Sequence, residues 1–186
     1  MRRSANYRLK KTVVMVGMMG AGKTAVGKAL ASRLRVPFRD SDAEIECAAN
    51  ATIPEIFARD GEAFFRDRES RVLARLLDDA PGVLSTGGGA FLSAQNRALI
   101  SARGVSVWLD CDLDLLWSRV HHKSTRPLLR TQNPFKTLQA LYAQRVPVYA
   151  LADLRVKAGA GYAIVDTAEK VIEALATRAD VLEVPG

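Results

Sequence analysis

The sequence predicts an α/β fold in which helices cover both faces of a parallel five-stranded sheet. Three observations support this prediction. Short runs of β-branched and apolar residues alternate with longer segments of helical period, the turns between them are short, and the first apolar run opens directly into a glycine-rich turn. Ligands bind at the carboxyl ends of the strands in such sheets, so the loops that follow the strands are the expected functional region.

The strands and helices can be placed in chain order. Short apolar runs predict strands at 12–16, 35–39, 83–85, 105–109 and 154–157. Apolar residues at helical spacing predict helices at 23–34, 62–77, 93–102, 112–121, 134–150 and 167–179. A capping-box pattern from Thr52 to Glu55 starts a further helix, which breaks at Asp60-Gly61. The polar segment 123–134 carries two prolines and has no period, which predicts a mobile loop.

Length and charge limit the possible protein classes. With 186 residues, of which 48% are hydrophobic, the chain can bury one core but is short for two domains. Ten of its 27 basic residues precede the first acidic residue, Asp40, and the remainder is slightly acidic. We therefore expect a basic, partly disordered tail at 1–10 and a single domain at 11–180. Because no aromatic-interleaved basic face accompanies the tail, we expect no specific nucleic-acid binding.

The absence of long apolar runs and of paired cysteines indicates the cellular compartment of the protein. No apolar run reaches the roughly 18 residues that a membrane helix needs. The two cysteines, Cys47 and Cys111, lack the spacing of a zinc or redox site. We expect a cytoplasmic protein with reduced thiols, without a membrane partner.

The glycine-rich turn carries the strongest functional signal. Residues 17–24 read GMMGAGKT and match the phosphate-binding pattern G-x-x-x-x-G-K-[ST], between a predicted strand and a predicted helix. Glycines let backbone N–H groups surround phosphate oxygens, and the start of the helix adds its positive dipole end. Lys23 is then expected to reach the β- and γ-phosphates, with the Thr24 hydroxyl on Mg²⁺. No guanine-reading NKxD-type motif occurs, which weakens the GTPase interpretation.

Two aspartates after the second predicted strand are candidates for the chemistry. The alternation of side chains along a strand predicts that Asp40 and Asp42 lie on one side of the chain. One could then act in the Mg²⁺ shell while the other receives the proton of an acceptor hydroxyl. A helix cap in a solvated loop is an equally good explanation of the same residues.

Later residues suggest an acidic acceptor. Arg66 and Glu69 lie one helical turn apart, so Glu69 could orient the Arg66 guanidinium towards a substrate carboxylate, although an exposed ion pair is the ordinary explanation. The run Gly87-Gly88-Gly89 after a strand lets the backbone approach a small ligand closely, although a loose turn would use the same residues.

Together these motifs resemble those of the shikimate kinase family. The resemblance covers the chain from Lys11 to Leu175 and depends on the order of the motifs: GMMGAGKT, FRDSD, GEAFFR with Glu69, STGGG, Arg126-Pro127-Leu128-Leu129, and Arg145 followed by Tyr149. It implies a P-loop kinase fold like that of the nucleoside monophosphate kinases, with a substrate-binding insertion at about 41–72 and a lid at about 120–134. The implied reaction is transfer of the γ-phosphoryl group of ATP to the 3-hydroxyl of shikimate, in aromatic amino acid biosynthesis.

The resemblance also implies residue roles. Asp42 binds the shikimate hydroxyls and serves as base, and Asp40 lies in the outer shell of one Mg²⁺ per subunit. The residues implied to bind shikimate are Asp42, Arg66, Gly87, Gly88, Gly89 and Arg145. The two arginines among them bind its carboxylate. The ATP set is Gly20, Ala21, Gly22, Lys23, Thr24, Ala25, Arg119 and Arg126. Arg119 packs against adenine, and Arg126 is the lid arginine that acts with Lys23 and Asp42 in catalysis. A monomer is expected.

One departure from the family pattern concerns the adenine end. Similar enzymes often carry a basic residue in the last loop between strand and helix, where this chain reads Ala158-Gly159-Ala160-Gly161-Tyr162. Two alternatives to shikimate phosphorylation stay open at this stage. One is a kinase for another small acid such as gluconate, and the other is a nucleotide switch or nucleic-acid-associated P-loop protein that uses the basic tail.

Overall fold

The central element is a five-stranded parallel sheet, as the sequence predicts. A computed structural model of the chain describes residues 6–122 and 129–186. The strands, in chain order, are β1 Arg8–Leu9, β2 Thr12–Val16, β3 Phe38–Asp40, β4 Val83–Ser85, β5 Gly104–Asp110, β6 Leu154–Lys157 and β7 Leu182–Glu183. The large sheet has the order β3-β4-β2-β5-β6, and every pairing in it is parallel.

The helices follow the strands and pack around the sheet. They are α1 Lys23–Leu34, α2 Ser41–Ala49, α3 Ile53–Asp78, α4 Ala94–Arg103, α5 Leu113–Val120, α6 Pro134–Tyr149 and α7 Ile164–Leu175, with a short 3₁₀ turn at Ala90–Leu92. Every residue of β2, β4 and β5 is buried, as expected for strands covered on both faces. No helix among the described residues is long and apolar enough to cross a membrane.

The sheet order places the carboxyl ends of β3, β4 and β2 side by side. The register pairs Asp40 at the end of β3 with Ser85 at the end of β4, and Ser85 with Met15 in β2. The loops that follow these three strands therefore leave from one edge of the sheet. The segments that follow these strands contain the phosphate-binding motif, Asp42 in the first turn of α2, and the three consecutive glycines.

Helix α1 approaches the sheet closely because of a glycine. A β-carbon built on Gly27 would lie 2.9 Å from the Phe38 ring, so only glycine fits there without a shift of its neighbours. Gly22 lies directly before α1 in the left-handed region, with φ 93°. The phosphate loop can therefore turn sharply into the helix.

Several boundaries differ from the sequence predictions. The segment after β3 forms helix α2, which was not among the predicted helices. Asp40 caps its first turn, as the helix-cap explanation of the two aspartates has it. The third strand starts at Phe38, three residues later than predicted. Helix α7 starts at Ile164, three residues earlier than predicted, because the Asp166 carboxylate accepts a hydrogen bond from the Ala163 N–H. The helix ends at Leu175, before the predicted end at residue 179.

The break predicted at Asp60-Gly61 is a kink. Gly61 has non-helical dihedral angles, φ 85° and ψ 172°, so α3 consists of two helical segments that meet at this residue, and the predicted break is confirmed. The chain ends also pair, although no strand was predicted at either of them. Strand β1 lies within the region predicted to be a basic tail and pairs antiparallel with β7 near the end of the chain. Residues 1–5 of that region lie outside the described residues.

Candidate active site

The phosphate-binding loop connects β2 to α1. Gly20 and Gly22 have φ values of 82° and 93°, which glycine adopts without strain. A β-carbon on Gly20 would also lie 2.7 Å from Val120 Cγ1, so space as well as conformation favours glycine there. The Lys23 ammonium donates hydrogen bonds to the carbonyl oxygens of Gly17 at 2.6 Å and Met18 at 3.1 Å. The loop therefore has the curled form that can surround phosphate oxygens.

A cavity of about 600 Å³ adjoins this loop. Its walls come from the loop, the ends of β3 and β4, helix α5 and the segment before α7. The lining residues are Met19, Gly20, Ala21, Gly22, Lys23, Thr24, Ala25, Val26, Asp40, Asp42, Ser85, Thr86, Gly87, Gly88, Arg119, Ala158, Tyr162, Ile164 and Thr167. The ATP set predicted from sequence lies in this wall, apart from Arg126, which falls outside the described residues.

Oxygen atoms near the loop could hold a magnesium ion. The Thr24 hydroxyl lies 3.4 Å from the Ser85 hydroxyl, and Asp40 lines the same cavity. Among the described residues, no group of three or more His, Cys, Asp or Glu side chains could hold a metal ion. Magnesium in kinases is held by one or two protein oxygens together with substrate phosphates, so the donors present fit this ion. Sequence reasoning missed Ser85, although the end of a strand beside the phosphate loop was a usable signal.

Asp40 and Asp42 have different local positions. Asp40 ends β3, and its Oδ1 accepts hydrogen bonds from the N–H groups of Asp42 at 2.9 Å and Ala43 at 3.2 Å. Asp42 lies in the first turn of α2. The prediction that strand alternation places both carboxylates on one side is therefore wrong, because the chain has turned into a helix by residue 42. Both side chains nevertheless line the same cavity.

The Asp42 carboxylate has the properties of a general base. Its Oδ1 is buried, without a hydrogen-bond partner in the described part of the chain. Burial, followed by the negative charges of Asp40 and Glu69, raises the pKa of Asp42 to about 6, and the Lys23 ammonium opposes the rise. A carboxylate with a pKa near neutrality is well suited to accept a proton.

The three consecutive glycines bring the predicted acceptor residues together. A β-carbon on Gly87 would lie 2.8 Å from Asp42 Oδ1, and one on Gly88 would lie 3.0 Å from Arg145 Nη1. A β-carbon on Gly89 would overlap the Arg66 guanidinium. Each glycine thus faces a different one of the three charged side chains, and any larger residue would displace one of them.

The two arginines are held differently. Arg66 Nη1 donates to the carboxylate of Glu69 at 2.9 Å, and only 2% of the Glu69 side chain is exposed. Burial raises the pKa of Glu69, while the Arg66 charge and its hydrogen bond lower it. Arg145 is 7% exposed, and its Nε has no hydrogen-bond partner in the described part of the chain. A buried guanidinium nitrogen without a partner is costly, which suggests that a ligand supplies the missing acceptor.

A second cavity, of about 980 Å³, continues from the glycine segment on the side of the arginines. Its lining includes Arg66, Glu69, Gly89 and Arg145. The glycines line both cavities, since Gly87 and Gly88 belong to the first. An anionic acceptor held by the arginines can therefore reach Asp42 and the phosphate loop.

Side chains that could contact an aromatic base also line the first cavity. Arg119 Nη1 donates to the Gly20 carbonyl at 3.0 Å, which places the guanidinium beside the loop. Tyr162 and Ile164 contribute side chains that are about half exposed, 46% and 51%. Lys157, directly before this loop, is bound to Asp112 at 2.7 Å, so it does not supply the basic residue that the loop lacks. The sequence prediction did not include Tyr162 or Ile164 in the site.

Chemically, the geometry suits phosphoryl transfer to a small acid. A phosphate cradle, two neighbouring hydroxyl groups, a carboxylate with a raised pKa and two guanidinium groups lie around one glycine segment. Such transfer depends mainly on positioning and on electrostatic stabilisation, which these groups can supply.

Comparisons with known proteins agree with this geometry. A family model described as shikimate kinase matches residues 19–176. The shikimate kinase of Ruegeria pomeroyi is 70% identical over 175 residues, covering 94% of this chain and 90% of that protein. The shikimate kinase of Cereibacter sphaeroides is 67% identical over 181 residues, covering 97% of this chain and 90% of that protein. A solved shikimate kinase from Acinetobacter baumannii, in complex with shikimate, has a TM-score of 0.84 at 40% identity and covers 90% of this chain and 93% of that one.

Proposed function

The chain belongs to the shikimate kinase family, and from this premise we propose how its own residues carry out the reaction. The protein is an ATP-dependent kinase that phosphorylates shikimate, within the shikimate pathway. The proposal concerns the residues that bind each substrate, the metal, and the order of events in the site. It is supported chiefly by one observation, the convergence of Asp42, Arg145 and Arg66 on three consecutive glycines beside the phosphate loop.

ATP binds with its phosphates in the loop at residues 20–25. In this arrangement the Lys23 ammonium exchanges the carbonyl oxygens of Gly17 and Met18 for phosphate oxygens, which carry full negative charge. Arg119 packs against adenine, and Tyr162 and Ile164 line the same cavity. Burial of these half-exposed side chains by the base contributes apolar contact area to binding.

Shikimate binds with its carboxylate between Arg66 and Arg145. The unpartnered Nε of Arg145 and the guanidinium of Arg66 then receive an acceptor of opposite charge. Gly87, Gly88 and Gly89 lie against the ring, where the missing side chains leave room for it. The ring hydroxyls point towards Asp42, which accepts the proton of the 3-hydroxyl as that oxygen attacks the γ-phosphorus. The bond from the γ-phosphorus to the bridging oxygen breaks, and ADP leaves with that oxygen.

Transfer is direct and in line, without a covalent enzyme intermediate. The residues Thr24 and Ser85 would hold Mg²⁺, one per subunit, with Asp40 in the outer shell. When bound, the ion neutralises charge on the β- and γ-phosphates. Arg126, in the segment outside the described residues, is proposed to reach ATP as part of a lid at about 120–134. Exclusion of water by that lid prevents loss of the phosphoryl group to hydrolysis.

The remaining parts of the proposal concern organisation. The segment at about 41–72, which holds Asp42 and Arg66, is the substrate-binding insertion of a single domain at 11–180. We further propose that the enzyme acts as a monomer in the cytoplasm, because every proposed site residue comes from one chain and magnesium and ATP are both available there.

The experiment measures ADP release from Mg·ATP with shikimate, quinate or gluconate as acceptor. Of these three acceptors, only shikimate should support rapid turnover. Arg66→Ala should raise the KM for shikimate about 10- to 100-fold, because hydrogen bonds to charged groups contribute about 1.5–3 kcal/mol, and it should leave the KM for ATP unchanged. Arg126→Ala should instead lower kcat by up to about 10³-fold.

A matched control is Arg68→Ala, which removes an exposed arginine from the same helix, packed on the Phe64 ring. It should leave both constants unchanged. If Arg66→Ala behaved like Arg68→Ala, the proposed carboxylate clamp would be wrong. Equal turnover with gluconate would contradict the proposed acceptor preference.

A further inference from the structure

Tyr149 is fully buried at the end of α6, and its hydroxyl is tied to the glycine segment. None of its side chain is exposed, and the hydroxyl donates a hydrogen bond to the Gly88 carbonyl oxygen. Its ring packs against Trp108, with centroids 6.5 Å apart. A β-carbon on Gly88 would lie 3.0 Å from Arg145 Nη1 and 3.6 Å from the Tyr149 hydroxyl. Tyrosine, arginine and glycine therefore meet at one point.

This hydrogen bond fixes the orientation of one peptide plane. The chain has no cis peptide among the described residues, so the Gly88 carbonyl and the Gly89 N–H point in opposite directions. With the carbonyl held by Tyr149, the Gly89 N–H is directed away from α6. Three glycines in a row have large conformational freedom, so without such a tether the segment would sample many orientations.

We propose that Tyr149 is a positioning residue for the acceptor site, which holds the Gly88-Gly89 peptide and the Arg145 guanidinium in the arrangement that receives the acceptor carboxylate. The inference rests on the proposed function, in which that carboxylate lies between Arg66 and Arg145. Tyr149 itself does not touch the substrate. Its effect is to order the groups that do, so that binding costs less conformational entropy.

The surroundings keep the hydroxyl in its donating form. Burial raises the pKa of the Tyr149 hydroxyl, and the nearby positive charges of Arg145 and Arg66 oppose the rise. The hydroxyl therefore stays protonated at neutral pH and continues to donate to the Gly88 carbonyl. Loss of the hydroxyl would leave the part-buried Gly88 carbonyl oxygen without this hydrogen bond, which is unfavourable.

The test compares Tyr149→Phe with Tyr142→Phe. Both variants remove one hydroxyl from α6 and retain the ring, but Tyr142 lies seven residues earlier and its side chain is only half-buried. Tyr149→Phe should raise the KM for shikimate by up to about tenfold, the upper end of what one hydrogen bond contributes. Its kcat, its KM for ATP and its ADP release without acceptor should change less than about twofold. Tyr142→Phe should match the wild type in all four measurements.

Two results would overturn the inference. One is an unchanged KM for shikimate in Tyr149→Phe. The other is a parallel rise in both Michaelis constants together with a lowered Tm, which indicates a purely structural role. The Arg66→Ala variant separates this inference from the proposed function. If Arg66→Ala raises the KM for shikimate and Tyr149→Phe does not, only the role of Tyr149 is wrong, whereas no effect in either variant contradicts the acceptor site itself.

Discussion

Replacement of Asp42 by asparagine should abolish most activity and stabilise the fold. The substitution keeps the size of the side chain but removes the charge and the proton acceptor. The loss of a positioned general base typically lowers kcat by about 10²- to 10⁴-fold. The same change removes a charge that the folded chain holds at a cost, because burial and neighbouring carboxylates disfavour the ionised form.

The size of the stabilisation follows from the pKa. The fold raises the pKa of Asp42 from 3.8 to about 6, and each pKa unit corresponds to about 1.4 kcal/mol. Since the side chain is partly solvated, we expect asparagine to raise the free energy of unfolding at pH 7.5 by about 1–3 kcal/mol. For a chain of this length, each kcal/mol raises Tm by about 2–4 °C.

The pH dependence provides the sharper measurement. A raised pKa means that the folded chain binds the proton more tightly than the unfolded chain. The contribution of this group to stability is therefore fully present below pH 3.8 and is lost as the pH rises through about 6. The wild type should thus approach Asp42→Asn in stability as the pH falls from 7.5 to 5. Its kcat/KM should fall over the same range, because the base becomes protonated.

The assays are thermal unfolding and steady-state ADP release between pH 5 and pH 8. The control is Glu173→Gln, which neutralises an exposed carboxylate on α7 far from the site. It should change neither the activity nor the pH dependence of Tm. The reasoning would be refuted if Asp42→Asn were less stable than the wild type at pH 7.5. It would also be refuted if the kcat/KM of the wild type showed no inflection near pH 6.

Two further substitutions test other parts of the site. Gly89→Ala should raise the KM for shikimate by at least about tenfold, because the added methyl overlaps the Arg66 guanidinium. The KM for ATP should not change. Equal effects on both Michaelis constants in steady-state kinetics would point instead to general misfolding. Thr24→Ala should raise the Mg²⁺ concentration for half-maximal ADP release about 10- to 100-fold, as expected for a damaged metal site, and a Mg²⁺ titration that matched the wild type would exclude Thr24 as a ligand.

Much of the fold could be predicted from local patterns. The apolar runs at the five strands and the spacing of the phosphate loop were sufficient, because a buried parallel strand and a glycine-rich turn have characteristic sequences. Helix α2 was missed because its start depends on the Asp40 carboxylate, which accepts from two N–H groups only after the strand has turned. The pairing of β1 with β7 joins segments more than 170 residues apart, which no local pattern reveals.

The sequence alone determined which groups are present and, except for Asp42, which element each belongs to. It predicted a phosphate loop, a carboxylate, Arg66 and three glycines, because each belongs to a short local motif, whereas Arg145 followed only from the resemblance to the shikimate kinase family. Only the tertiary structure decided that Asp42, Arg145 and Arg66 each face a different glycine. It also decided that burial raises the pKa of Asp42 to about 6 and that Tyr149 is tied to the Gly88 carbonyl. These properties depend on distances between residues far apart in the chain and on the water that packing excludes, and neither is encoded in any single segment.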